Sequence, residues 1–272
     1  MPLSVCSLNS GSNGNCYYIG NDTEAVLIDA GISRRETEKR MLRLGLSFKK
    51  VKAIFITHEH SDHINGISSL LKKHELPLYI TDNTLKQGRL IVREKLIRSF
   101  NPYEPVTIGQ LSVTAFPKIH DACDPHSFVV ACDDVKVGVF TDIGSSCDHV
   151  TRNFSQCHAA FLEANYDEDM LERGKYPWFL KNRIRNGQGH LSNKQAAKLF
   201  IDHRAPFMSH LFLSHLSRAN NCPKIVKTLF DKIAGSTEII IATRDQETDV
   251  YSIYGASKPA PTKKLQLQLS LF

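Results

Sequence analysis

The sequence predicts an α/β (α+β) fold in which helices flank two packed sheets, an αβ/βα sandwich. Three observations lead there. Short, nearly continuous apolar runs such as Ala25–Ile28 and Ala53–Ile56 have the pattern of strands buried on both faces. Helical segments separate these runs, and the second half of the chain repeats the alternation. The 272 residues are 42% hydrophobic and 23% charged, ordinary globular usage that excludes disordered and fibrous classes.

Taken in order, Cys16–Ile19 and Ala25–Ile28 read as strands, the second running into Asp29-Ala30-Gly31. Ser33 is placed to cap a helix that continues through about Leu44. Ala53–Ile56 is a strand leading into Thr57-His58, and a helix follows His63 toward Lys73. Leu111–Phe116, Phe128–Cys132 and Val135–Phe140 read as antiparallel strands, with Asp133-Asp134 as a tight turn. A strand at Ala159–Leu162, a helix over Asn193–Asp202 and a strand at Phe207–Leu213 follow. A helix over Pro223–Ala234 and a strand at Glu238–Ala242 complete a single domain, residues 1–254. No internal repeat is visible. From Gly255 the composition shifts to Ala, Ser, Lys and Pro, which reads as a tail over 255–272.

The net charge of +6 permits a phosphate-bearing partner without requiring one. The opening residues carry no basic stretch followed by a long apolar run, so no secretory leader is expected. No stretch approaches the roughly 18 apolar residues of a membrane helix, so no membrane association is expected. Seven scattered cysteines form no C-x-x-C pair, which suits a reducing, cytoplasmic setting better than a disulfide framework.

Chemistry enters at Thr57-His58-Glu59-His60-Ser61-Asp62-His63, directly after a buried strand. Imidazole and carboxylate groups are ligands for borderline divalent cations, and a loop leaving a strand end can aim alternate side chains at one point. His58 and His60 project the same way; Asp62 and His63 can reach a second ion.

This HxHxDH pattern, with Asp29 ending an earlier strand in a structural role, resembles the metallo-β-lactamase superfamily. The resemblance implies a four-layer αβ/βα sandwich with a one- or two-metal site at strand ends. Further motifs match in order: His120 in Lys118-Ile119-His120-Asp121, Asp142 in Phe140-Thr141-Asp142, and His215 in Leu213-Ser214-His215. By that likeness His58, His60, His120 and Asp142 would hold one ion. Asp62, His63, Asp142 and His215 would hold the other, and both would be Zn²⁺ or Mn²⁺. No cysteine occupies a ligand position, which argues against lactam hydrolysis.

Four features address the substrate. Ser10-Gly11-Ser12-Asn13-Gly14-Asn15 is small and polar, read either as a phosphate cradle through Ser12 and Asn13 or as an ordinary turn. Gly189-His190-Leu191-Ser192 precedes a helix N-terminus, which favours an anion near His190 and Ser192. His190 together with His215-Leu216-Ser217-Arg218 resembles the ending of tRNA 3′-processing endonucleases, which implies that His190 contacts the scissile phosphate and protonates the leaving oxygen. His126 departs from those relatives, which usually carry Gly there. Finally, Ser10 to Asn15, His120 to Pro125, Leu162 to Asp167 and Gly189 to Asn193 are similar to one branch, the YycJ/VicX/WalJ-type exonucleases.

The expected function is therefore a 5′-to-3′ DNA exonuclease of mismatch repair, working through a hydroxide held by two metal ions, with Asp62 and His190 as catalytic groups. The alternatives are an RNA endonuclease of the tRNA 3′-processing type, a hydrolase of small esters or thioesters, and a clamp-binding adaptor without activity. Tyr176-Pro177-Trp178-Phe179, followed by Lys181, Arg183 and Arg185, reads as an amphipathic helix with a solvated basic face, or as a base-stacking element. His74, His149, His158, His203 and His210 match no motif. Gln268-Leu269-Ser270-Leu271-Phe272 resembles peptides that dock onto the bacterial β sliding clamp, with Gln268, Leu269, Leu271 and Phe272 as the contacts. The alternation of Leu265, Leu267, Leu269 and Leu271 with polar residues would equally suit an edge strand.

Overall fold

The computed structural model describes residues 1–255; the clamp-like residues Gln268, Leu269, Leu271 and Phe272 lie outside the described residues. The strands are β1 Leu3–Asn9, β2 Cys16–Gly20, β3 Ala25–Ile28, β4 Val51–Phe55, β5 Leu78–Tyr79, β6 Ile97–Arg98 and β7 Pro105–Ile108, then β8 Leu111–Pro117, β9 His126–Cys132, β10 Val135–Phe140, β11 Ala159–Glu163, β12 His210–Ser214, β13 Glu238–Ile241 and β14 Tyr251–Ile253. The helices are α1 Arg34–Arg43, α2 Ser61–Ile64, α3 Ile67–His74, α4 Asp82–Gln87, α5 Asp148–Phe154, α6 Glu168–Arg173, α7 Trp178–Arg185, α8 Asn193–His203 and α9 Pro223–Asp231.

Two sheets result, in the orders β14-β1-β2-β3-β4-β5-β6 and β13-β12-β11-β10-β9-β8-β7. In the first, β3 to β6 run parallel; in the second, β10 to β13 do. Phe55, Phe128, Phe161 and Phe212 meet between the sheets, with the Phe161 and Phe212 rings stacked at 4.5 Å. Truncating a phenylalanine such as Phe161 to alanine would cost about 3–5 kcal/mol. Met41, Ile67 and Leu70 cover the outer face of the first sheet, and Phe154, Phe200 and Phe230 that of the second. Those layers give the four-layer αβ/βα sandwich.

Local chemistry sets the element ends. Ser33 accepts the Glu36 N–H at 3.2 Å to start α1, and Ser192 with Gln195 forms a reciprocal capping box at α8. Some boundaries differ from expectation. The helix after His63 is broken into α2 and α3, because the Gly66 N–H is drawn off to the Ala30 carbonyl at 2.7 Å. β12 begins at His210 rather than Phe207, since Phe207 and Met208 lie in a turn closed by the Met208 N–H on the Ala205 carbonyl. The helix from Pro223 stops at Asp231. β1 and β14, unanticipated, pair Leu3 with Ile253 and complete the first sheet.

Candidate metal and catalytic site

The parallel strands of both sheets deliver their carboxyl ends to one place, where loops are free to carry chemistry. Asp29 follows β3, the His58–His63 segment follows β4, Asp142 follows β10, Glu163 ends β11 and His215 follows β12. The backbone turns sharply there: Asp29, Asp142 and His215 adopt left-handed φ of 63°, 53° and 56°. Asp and His tolerate that region better than most residues, yet three instances at one site are held only because the surrounding structure fixes them. Gly31 is required for a related reason: a Cβ there would lie 1.7 Å from the Asp62 carbonyl oxygen.

Two donor sets converge. His58 Nε2 lies 3.0 Å from His60 Nδ1, and His120 Nε2 lies 3.3 Å from the same atom. Beside them, Asp62 Oδ2 sits 3.4 Å from His215 Nε2 and 3.6 Å from His63 Nε2. Asp142 stands between the sets, with Oδ1 3.8 Å from His120 Nε2 and Oδ2 3.0 Å from His63 Nε2. These spacings suit a divalent ion, whose bonds of about 2.0–2.1 Å to nitrogen place tetrahedral ligands about 3.4 Å apart. Asp142 Oδ2 is buried and without a hydrogen-bond partner, although His63 Nε2 lies 3.0 Å away. A buried carboxylate oxygen without a donor is what a cation would complete. The cluster thus joins the seven residues that the sequence singled out as ligands.

The second nitrogen of each buried imidazole is already engaged. His63 Nδ1 donates to Asp29 Oδ2 at 2.6 Å, and Asp29 also accepts from the Thr57 N–H at 2.9 Å. His58 Nδ1 meets Thr57 Oγ1 at 2.9 Å, and His120 Nδ1 donates to the Gly189 carbonyl at 2.9 Å. Such partners fix tautomer and ring orientation, leaving the opposite nitrogen's lone pair for a metal. Burial pushes His58 and His60 below the usual histidine range and His120 down to about 4, so all three are neutral, as ligands must be. At His63 burial is outweighed by Asp29, Asp142 and Asp62, which raise it to about 10. That concentration of carboxylates marks a place for positive charge.

Glu163 was not anticipated. It is fully buried, and its Oε2 accepts the Ile143 N–H at 2.7 Å and the Leu191 N–H at 3.2 Å. Its Oε1 faces His190 Nδ1 at 2.7 Å and His215 Nδ1 at 3.2 Å. Burial would raise its pKa, but the His190 charge and the hydrogen bonds from both histidines hold it at about 2. With both oxygens so engaged, Glu163 orients His190 and His215. Its signals in the sequence were an acid at the end of a buried strand and its place in the Leu162–Asp167 stretch that resembles the exonuclease branch.

His190, His60, Asp62, Asp142 and His215 line a cleft of about 370 Å³. Ser12 lines it too, whereas Asn13 Nδ2 reaches the Arg244 carbonyl at 3.4 Å. Ser192 is corrected: it is fully buried and spent on the α8 cap and on Glu168 Oε1 at 3.1 Å, away from the cleft wall. The loop from Ser10 to Asn15 instead braces the site. Ser10 Oγ accepts the His215 N–H at 2.7 Å, while the Asn15 N–H donates to the Asp62 carbonyl at 2.7 Å and its Nδ2 to Asp62 Oδ2 at 3.1 Å. His126 starts β9 and packs its ring on Phe100 at 5.3 Å rather than edging the cleft. α7 contributes Leu180, Arg183 and Ile184 to the lining, and Trp178 and Phe179 in its first turn are 72% and 70% exposed. All seven cysteines are free thiols, and no helix among the described residues is long and apolar enough to cross a membrane.

Residues 24–215 match the family described as the beta-lactamase superfamily domain. The chain is 34% identical over 232 residues to the exodeoxyribonuclease YycJ of Bacillus anthracis, covering 84% of this chain and 87% of that protein. It is 31% identical over 235 residues to the exodeoxyribonuclease WalJ of Streptococcus pneumoniae, again covering 84% and 87%. Among solved structures, the metallo-beta-lactamase fold protein YhfI of Bacillus subtilis superposes with a TM-score of 0.71 at 18% identity, covering 93% of this chain and 100% of that one, a likeness of fold.

Proposed function

This chain belongs to the beta-lactamase superfamily and is a metal-dependent hydrolase, and from that premise we propose that it is a DNA exonuclease working from the 5′ end in repair. The observation that carries the reading is the pairing of two converging donor sets with His190, which Glu163 holds on the wall of the same cleft. The likeness to proteins named exodeoxyribonuclease supports DNA as the substrate. So does α7, which lines the cleft through Leu180, Arg183 and Ile184 and carries exposed Trp178 and Phe179, rings suited to stacking on bases.

His58, His60, His120 and Asp142 would hold one ion, and Asp62, His63, Asp142 and His215 the other, either Zn²⁺ or Mn²⁺. Ions bound there would acidify a water and offset charge developing on the phosphoryl oxygens. Asp62 orients the attacking water from its partly exposed carboxylate. His190 donates a proton to the departing oxygen from Nε2, the nitrogen that Glu163 leaves free. Metal analysis of the purified protein, with activity restored ion by ion, distinguishes zinc from manganese. Release of mononucleotides from 5′-phosphorylated duplex DNA is expected, with little cleavage of precursor tRNA. His60→Ala or Asp62→Ala retaining full metal-dependent activity overturns the assignment.

The free thiols support a cytoplasmic setting. Docking to the β sliding clamp through Gln268, Leu269, Leu271 and Phe272 would raise the enzyme's effective concentration on DNA. Clamp affinity unchanged by deletion of 268–272 overturns that part.

A further inference from the structure

A second hollow of about 180 Å³ adjoins the cleft, bordered by Ser10, Ser217, Arg218, Asn221, Thr243 and Arg244. Ser217 lines both spaces. It follows His215 by two residues, at most about 7 Å of chain, so the hollow lies within the reach of one nucleotide from the donor cluster. Arg244 is anchored: its Nη2 donates to the Leu216 carbonyl at 2.8 Å, and a Cβ on Gly11 would lie 3.0 Å from that nitrogen. Arg218 is exposed and makes no hydrogen bond or ion pair among the described residues.

Neither arginine pairs with a carboxylate. Asp245 borders the hollow and draws Arg244 upward in proton affinity, but burial and the neighbouring Arg218 charge outweigh it and push Arg244 down. Two guanidinium groups bordering one hollow repel, Asp245 is the single carboxylate among its lining residues, and an anion with several acceptor oxygens completes such a set. A phosphodiester brings one charge. A phosphomonoester brings about −1.5 to −2 and three acceptor oxygens, which matches two arginine forks with the Ser217 hydroxyl beside them.

We infer that the hollow bordered by Arg218 and Arg244 holds the terminal phosphomonoester of the strand being degraded. The inference rests on the nuclease reading above and deepens it, since a bound end one nucleotide from the cut sets both polarity and step size. The phosphate could belong to a 5′ or a 3′ end, and the experiment separates them.

Full-length, metal-loaded protein is offered three otherwise identical phosphorothioate oligonucleotides, which resist cleavage: one with a 5′-phosphate, one with a 3′-phosphate and one with neither. The protein is expected to bind one phosphate-ended strand about 10- to 100-fold tighter than the hydroxyl-ended one, the range of a charge-assisted contact. Arg218→Ala collapses that ratio toward one, and Arg244→Lys reduces it by keeping the charge while losing the fork. Equal affinity for all three strands overturns the proposal, as does an unchanged ratio in Arg218→Ala. Cleavage of cleavable DNA with no end preference removes the pocket and leaves the nuclease standing. An end preference in binding without any DNA cleavage does the reverse.

Discussion

Asp29 Oδ2 and His63 Nδ1 lie 2.6 Å apart with both side chains fully buried, so the carboxylate decides which nitrogen of His63 carries its proton. The lone pair on Nε2 is thereby turned toward Asp62 and Asp142. Asp29→Asn keeps a residue that tolerates the left-handed backbone but weakens this control. Its metal affinity, read by competition with a chelator, should fall about 10- to 100-fold, the usual cost of losing such a partner. Unchanged metal retention would show that Asp29 serves folding alone.

His190 and Glu163 make a second testable pair, 2.7 Å apart. His190→Ala should lower kcat on DNA about 10²–10⁴-fold, the usual scale of general acid catalysis, while metal content stays constant. On an aryl phosphodiester, whose leaving group departs without a proton, the loss should be much smaller. Equal losses on both substrates would reassign His190 to binding.

Ser10 is placed to stabilise more than to bind. Ser10→Ala strips the acceptor from the His215 N–H and a partner from the Tyr17 hydroxyl, both buried. The expected destabilisation is about 1–3 kcal/mol in urea unfolding. Ser12→Ala, on the exposed part of the same loop, should stay within about 0.5 kcal/mol. A reversed ranking would return the loop to a phosphate-cradling role.

Acid stability has a local contributor at Glu38. Burial would raise its carboxyl, but hydrogen bonds from Lys73, His74 and Arg34 bring it from 4.5 to about 2. A depressed carboxyl pKa contributes stability that is fully present above the unfolded value and lost as pH falls through the folded one. The stability gap between the native protein and Glu38→Gln should therefore be constant above about pH 5 and close between roughly pH 4.5 and 2. Urea midpoints at pH 6, 4 and 3 follow it. A gap independent of pH would assign the effect to packing.

What the sequence revealed of the site depends on how far apart its parts lie. His58, His60, Asp62 and His63 share one loop, so their pattern is visible without knowing the fold. His120, Asp142 and His215 come from the family resemblance, whose later motifs they match in order, each just past an apolar run. Glu163 is a lone acid, and its meaning comes only from β10, β11 and β12 running parallel, which carries it to His190 and His215. The loop from Ser10 to Asn15 was legible only in part: small polar residues suit an anion, and Ser12 does line the cleft, but Ser10 and Asn15 close on His215 and Asp62. Among the elements, β14 escaped because three residues carry too little periodicity to register.

The left-handed turns at Asp29, Asp142 and His215 set fitness against robustness at single positions. Each holds a conformation that glycine would adopt at lower cost, by about 1–3 kcal/mol where strain is fully relieved. Asp142→Gly would relax that turn, remove a carboxylate surrounded by histidines and abolish the reaction in one change. A laboratory selection that rewards heat resistance without demanding catalysis should therefore accumulate its gains at these strand ends, erasing the enzyme while hardening the protein that carries it.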